Sequence, residues 1–187
     1  MSVPKTDNVL MAEVSRGRVA QMAALFEVHH RPLFRYFVSM NRDRTAAEDL
    51  VQEVFLRMLR YRASYDPEQS FTGWMYRIAR NAMLDVARKR RSEVVDIDEY
   101  ASAAISSAPD PEQGAVRGQD VELLRRALAA LPSDKREVLV LSRFQGMKYE
   151  DIAEVLGCEV GTVKVRVYRA MRALELGYYA MAKERVS

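Results

Sequence analysis

Cysteine is nearly absent from this chain. Cys158 is the single one in 187 residues, which excludes an intrachain disulfide and a cysteine-rich zinc site and points to a reducing cytoplasm. Histidine is as scarce: His29 and His30 are the two present. Being adjacent, they cannot share a metal in the i, i+4 manner, so both read as surface or interhelix residues, and neither metal nor cofactor is expected. No apolar run approaches the roughly 18 residues of a membrane span. The first residues, Met1-Ser-Val-Pro-Lys-Thr-Asp-Asn8, lack the apolar stretch of a signal peptide. A cytoplasmic protein without membrane insertion is therefore expected. No nucleophile–base arrangement and no phosphate-cradling glycine loop occurs, so the chain does not read as an enzyme. No segment alternates with β-branched enrichment either, which leaves an all-α fold.

What is present is charge in blocks. Net charge is only +3, a weak argument for nucleic acid, but its distribution says more. Between Thr72 and Arg91 stand Arg77, Arg80, Arg88, Lys89, Arg90 and Arg91 against Asp85 alone. From Ser92 to Asp120 the acids Glu93, Asp96, Asp98, Glu99, Asp110, Glu112 and Asp120 face only Arg117. Lys164, Arg166, Arg169 and Arg172 then oppose Glu175. The acidic block also has the composition of a linker, with Ala101-Ser-Ala-Ala-Ile-Ser-Ser-Ala-Pro-Asp-Pro-Glu-Gln-Gly114 small, polar and proline-punctuated. A loop that long inside one domain would be unusual. The expected organisation is a helical domain over residues 1–92, a linker over 93–119 and a second helical domain over 120–187.

Helical periodicity fills both domains. Met22, Leu25, Phe26, Leu33, Tyr36 and Phe37 share a face of a helix from Arg18 to about Met40. Thr45 and Glu48 have capping-box spacing, and Leu50, Val51, Val54, Phe55 and Met58 supply the stripe that follows. Asp66-Pro67 breaks the chain. Phe71, Trp74, Met75, Ile78, Ala79, Ala82, Met83 and Val86 then predict a helix over about 71–91. Three helices with short connections pack as a bundle. In the second domain Val121, Leu124, Ala127, Leu128 and Leu131 form one helix, ended by Pro132, and Arg136 to Phe144 a second. Ile152, Ala153 and Leu156 lie on one face of a third, which ends at Gly157. Val160, Val163 and Val167 begin a fourth. The last two form a helix–turn–helix, with Cys158 in its turn and an apolar-inside, basic-outside second helix suited to the major groove of DNA.

Three outward faces remain. Asp49, Gln52, Glu53 and Leu56 form a stripe opposite the core of their helix, a solvated face or, given Leu56, a seat for a partner helix. Arg77, Arg80, Asn81, Leu84, Arg88 and Arg91 form a basic stripe that favours phosphate contact, with Asn81 placed for a base edge. Tyr65, in the broken segment, is read as free to stack on an unpaired base, so single strands suit this face better than duplex.

The motifs Ala47-Glu-Asp-Leu-Val-Gln-Glu-Val-Phe55, Phe71-Thr-Gly-Trp-Met-Tyr-Arg-Ile-Ala-Arg-Asn81, Leu131-Pro-Ser-Asp-Lys-Arg-Glu-Val-Leu139 and Tyr149 through Arg172 occur in this order across an acidic linker. With them the chain resembles the extracytoplasmic-function group of bacterial RNA polymerase sigma factors over roughly residues 15–176. The resemblance implies two helical domains, region 2 and region 4. It implies that Asp49, Gln52, Glu53 and Leu56 bind core RNA polymerase. The loop at about Arg62 to Ser70, including Tyr65, together with Arg77, Arg80, Asn81 and Arg88, would melt and capture the −10 promoter element. Positions matching Thr162, Lys164, Val165, Arg166, Tyr168 and Arg169 would read the −35 element as duplex DNA. An anti-sigma factor is the further partner it implies. Two positions depart from the family pattern: Lys148 and Val165 stand where serine is usual, the second turning a polar groove contact apolar. The alternative is a dimeric helix–turn–helix regulator independent of core polymerase.

Overall fold

The computed structural model describes residues 6–41, 43–95 and 115–184, and every regular element among them is helical. Most of the expected linker, residues 96–114, lies outside the described residues, as does the end of the tail, 185–187. The chain divides into two compact units.

The first unit opens with a helix the periodicity did not announce, α1 (Asp7–Ser15), which buries Leu10, Met11, Ala12 and Val14. It closes through Gly17 at φ +95. The Gly17 amide donates to the Val14 carbonyl and the Arg18 amide to the Glu13 carbonyl, both at 3.0 Å, a paired closure that needs a left-handed residue. A 3₁₀ turn at Val19–Gln21 follows, so the helix expected from Arg18 begins at Met22 as α2 (Met22–Asn41). Its buried face is Met22, Leu25, His29, Leu33, Tyr36, Phe37 and Met40. Phe26, expected in the core, is 38% exposed, its ring stacked on His30 and tilted against Phe55.

α3 (Arg44–Arg60) carries a different cap from the one its sequence advertised. Asp43, extended at φ −104, accepts from the Ala46 amide at 3.0 Å, so Thr45 lies inside the helix and its capping box is not used. An aspartate one position before the first helical residue satisfies an otherwise orphan amide of the first turn. Ala47, Leu50, Val51, Val54, Phe55 and Met58 face inward. Each large side chain wholly removed from water, such as Leu25 or Met58, contributes roughly 1.5–3 kcal/mol.

α4 (Phe71–Val95) starts where expected and runs past Arg91. Ser70 caps it, its hydroxyl accepting from the Gly73 amide at 3.2 Å. Phe71, Trp74, Met75, Tyr76, Ile78, Ala79 and Ala82 are buried. Val86 is exposed, so the buried face ends a turn before the pattern does.

After the expected linker come α5 (Ala115–Ala130), α6 (Ser133–Leu139), α7 (Tyr149–Leu156) and α8 (Val160–Glu184). α5 is rotated from its expected face: Leu123, Ala127, Leu128 and Leu131 are buried, whereas Val121 and Leu124 are exposed. Two overlapping apolar series run through this segment, and the one that meets α8 wins. α6 widens into a π-helical turn at Val140–Phe144, where the Gln145 amide donates to the Val140 carbonyl at 2.9 Å. Val138, Leu139, Val140 and Leu141 are all buried, as befits a helix enclosed on all sides. The Arg136 guanidinium donates to the Ala129 and Leu131 carbonyls, both at 2.9 Å, closing the end of α5. α8 runs on to Glu184, so the segment after Gly177 extends the last helix.

Candidate nucleic-acid interface

The helix–turn–helix is built by its turn. Gly157 stands at φ +63, the Cys158 amide donates to the Ala153 carbonyl at 3.0 Å, and α8 leaves α7 two residues later. Ile152, Ala153 and Val155 anchor α7, while Leu156 is only half-buried. Cys158 is half-buried in the turn. Val163, Val167 and Ala170 seat α8 on the core. The predicted contact residues Thr162, Lys164, Val165, Arg166, Tyr168 and Arg169 are all exposed, Tyr168 at 66%. Arg172, on the same outward arc, spends its guanidinium on Glu175 at 3.0 Å.

In the first unit Asp49, Gln52 and Leu56 are exposed on one face of α3, with Glu53 half-buried beside them. Glu53 is not a free carboxylate. Arg57 donates through Nε to Glu53 at 2.6 Å and through Nη1 to Asp85 of α4 at 2.8 Å. Burial would lower the Arg57 pKa, but the hydrogen bonds to Glu53 and Asp85 raise it overall. This bridge also pairs Asp85, the one acid between Arg77 and Arg91. Of the predicted α4 residues, Asn81 and Arg88 are exposed and Arg77 and Arg80 half-buried. The Arg90 and Arg91 side chains lie outside the described residues.

Tyr65 requires a correction. It is buried, not free: its ring sits edge-on to Trp74 at 5.1 Å and to Phe71 at 6.4 Å. Three aromatic side chains closing over the start of α4 bury more surface together than Tyr65 would by waiting for a base. Its hydroxyl is buried without a hydrogen-bond partner. Burial first, then the charges of Asp66 and Asp7, push its pKa up to about 12. The protonated phenol is thus the form the fold favours; its stabilisation is intact below pH 10 and is lost as pH rises toward about 12. Tyr65→Phe is therefore expected to raise stability by about 1 kcal/mol, and to flatten part of the alkaline loss. Thermal melts at pH 7 and pH 11 would check this; a destabilised variant would mean that the hydroxyl is satisfied after all.

The loop that ends at α4 is held by residues that sequence reasoning passed over. Asn8 of α1 reaches it across some sixty positions and hydrogen-bonds two of its carbonyls and the first amide of α4. His29 Nε2 meets Asp7 Oδ2 at 2.9 Å, and its ring packs against Phe71, the interhelix one of the two placements, surface or interhelix, expected for it. Apolar spacing at Leu10, Met11 and Val14 was the available signal for α1; nothing local announces contacts so distant in sequence. Among the described residues there is no group of three potential metal ligands and no helix long and apolar enough to cross a membrane.

Comparison with known proteins matches residues 25–93 to sigma-70 region 2 and residues 121–174 to sigma-70, region 4. The chain is 38% identical over 154 residues to the ECF RNA polymerase sigma factor EcfG of Rhodopseudomonas palustris, covering 82% of this chain and 83% of that protein. It is 30% identical over 192 residues to the RNA polymerase sigma-H factor of Pseudomonas aeruginosa, covering 98% and 100% of the two. Among solved structures, the sigma factor RpoE of Bartonella quintana, in complex with the anti-sigma factor NepR, superposes with a TM-score of 0.72 at 28% identity, over 83% of this chain and 94% of that one.

Proposed function

The chain belongs to the extracytoplasmic-function group of sigma-70 family RNA polymerase sigma factors, and we propose the residues through which it works. As a sigma factor it directs promoter-specific transcription initiation, region 2 acting at the −10 element and region 4 at the −35 element. The proposal divides it at residues 1–92, 93–119 and 120–187. Asp49, Gln52 and Leu56, with Glu53 held in its bridge to Arg57, are the seat for core polymerase. Asn81 and Arg88, flanked by Arg77 and Arg80, bind the −10 strand beside the exposed loop of residues 66–69. Thr162, Lys164, Val165, Arg166, Tyr168 and Arg169 read the −35 duplex. Tyr65 serves as the buried floor of that loop.

The observation that carries this reading is α8, with Val163, Val167 and Ala170 buried beneath an uninterrupted exposed face from Thr162 to Arg169. The proposal extends to a cytoplasmic, non-enzymatic protein held in check by an anti-sigma factor, supported by the partner present in the RpoE structure. A dimeric regulator is not favoured, because matches to both sigma regions account for the two units.

Unstacking a base costs a few kcal/mol, offset when the flipped base is held by the protein. Asn81→Ala is accordingly expected to slow open-complex formation about tenfold on duplex promoter, the loss of one to two polar contacts. On a pre-melted template the defect should shrink. Stopped-flow fluorescence of a labelled −10 element would read both rates. Equal, undiminished rates on the two templates would remove Asn81 from the melting step.

A further inference from the structure

We infer that Asn8, on a helix preceding the residues matched to region 2, is a positioning residue for capture of the −10 strand. The inference rests on the loop assignment proposed above. Asn8 Nδ2 donates to the Gln69 carbonyl at 3.0 Å and to the Pro67 carbonyl at 3.3 Å, while its Oδ1 accepts from the Phe71 amide at 3.1 Å. One side chain thus ties down both arms of the turn and the first helical residue of α4. Within the loop, the Glu68 amide donates to Asp66 Oδ1 at 3.0 Å and the Gln69 amide to the Asp66 carbonyl at 3.1 Å. These bonds shape the turn but do not fix it to anything else.

Its anchorage comes from three sides. Tyr65 is buried at the entrance against Trp74, Ser70 caps α4 at the exit, and Asn8 holds the middle. Asn8 is itself placed by its neighbour, since Asp7 meets His29 of α2 at 2.9 Å. The outer side chains Asp66, Pro67, Glu68 and Gln69 stay exposed, so the backbone is fixed while the surface offered to DNA remains free. A loop ordered before binding loses less entropy when a base enters. That is the use we assign to α1.

The amide is the informative group, because its two ends act on different things. Asn8→Asp keeps an acceptor for the Phe71 amide, and a carboxylate there suits a helix N-terminus, but it can no longer donate to Pro67 and Gln69. Holoenzyme carrying Asn8→Ala, Asn8→Asp or the paired loop substitution E68G/Q69G would be titrated with a single-stranded −10 oligonucleotide and, separately, with −35 duplex. Core affinity and the melting temperature of each free chain would be measured alongside. Both Asn8 variants are expected to weaken −10 strand binding about tenfold, the order of a modest loop-ordering cost. Binding to −35 duplex and to core should stay within about twofold, inside the scatter of neutral substitutions.

If Asn8→Asp binds the −10 strand like the native chain, Asn8 is only a helix cap and the inference is wrong. If Asn8→Ala weakens −10, −35 and core binding alike, it is a general stability residue and the inference is equally wrong. Should E68G/Q69G leave −10 binding unchanged, the loop assignment itself fails and takes the inference with it. Should E68G/Q69G weaken it while the Asn8 variants do not, the inference fails alone.

Discussion

Replacing Leu56 by arginine is expected to weaken binding to core polymerase by about 100-fold, the order for an interface hot spot, while leaving the melting temperature unchanged. Leu56 is 57% exposed and stands among Asp49, Gln52 and Glu53 on the outer face of α3. An apolar side chain ringed by polar ones is the usual composition of an interface centre. Because Leu56 lies outside the buried core, a change there reports chiefly on the partner. Glu53 is the less informative choice. Glu53→Arg would set a second guanidinium against Arg57 and remove one arm of the bridge that Arg57 makes to Asp85, disturbing the α3–α4 packing as well as any interface. Fluorescence anisotropy of labelled chain titrated with core enzyme would decide the matter. An unchanged dissociation constant for Leu56→Arg would place the polymerase contact elsewhere.

The difference between Leu56 and Glu53 shows where sequence reading succeeds and where it stops. The order of the helices from α2 onward, the break at Asp66-Pro67 and the left-handed exit at Gly157 were legible because each depends on nearby residues, whereas α1 was not. So was the outward face of α8, which the apolar series Val160, Val163 and Val167 sets. Faces were misread where two apolar series overlap. Leu123 and Leu124 fit an α5 stripe equally well until α8 selects one, and Phe26 fits α2 until His30 and Phe55 offer it a shelf near solvent. The cap of α3 was assigned to Thr45 by motif, whereas Asp43 caps it from outside the helix by accepting from the Ala46 amide.

What could not be read locally was anything joining distant segments. Tyr65 seemed available because its immediate neighbours are polar; the aromatic side chains that enclose it arrive from α4. Asn8 carried no signal whatever, since its three partners lie about sixty residues away and are all backbone groups. Arg57 was similarly silent. As an i, i+4 partner of Glu53 it reads as an ordinary surface pair, worth little, and only the placement of Asp85 on α4 turns it into a bridge between helices. Long-range polar contacts of this kind are what a single sequence hides best, and here they concentrate around the loop assigned to DNA capture.

On α8 the arrangement permits a sharper division of labour, and the second large effect follows from it. Successive residues turn by roughly 100° along a helix. With Val163, Val167 and Ala170 inward, Val165, Tyr168 and Arg169 lie directly opposite the core, while Thr162 and Arg166 flank them on one side and Lys164 on the other. A helix seated in the major groove presents its central stripe to base edges and its flanks to the phosphates of the two strands. The double substitution K164A/R166A should therefore lower −35 affinity uniformly across sequences, flattening the plot of log affinity against log salt by about two units at roughly 0.9 per phosphate. Arg169→Ala should instead relax preference at one base pair by about 10- to 100-fold, as loss of a bidentate contact does. Val165→Ser should shift preference near a thymine methyl and leave the salt slope alone. Titrating a panel of single-base −35 variants at several salt concentrations separates these outcomes. If Arg169→Ala lowered all sequences equally while K164A/R166A altered selectivity, the helix would sit in the groove rotated from this placement, with its flanks reading bases and its centre against a phosphate strand.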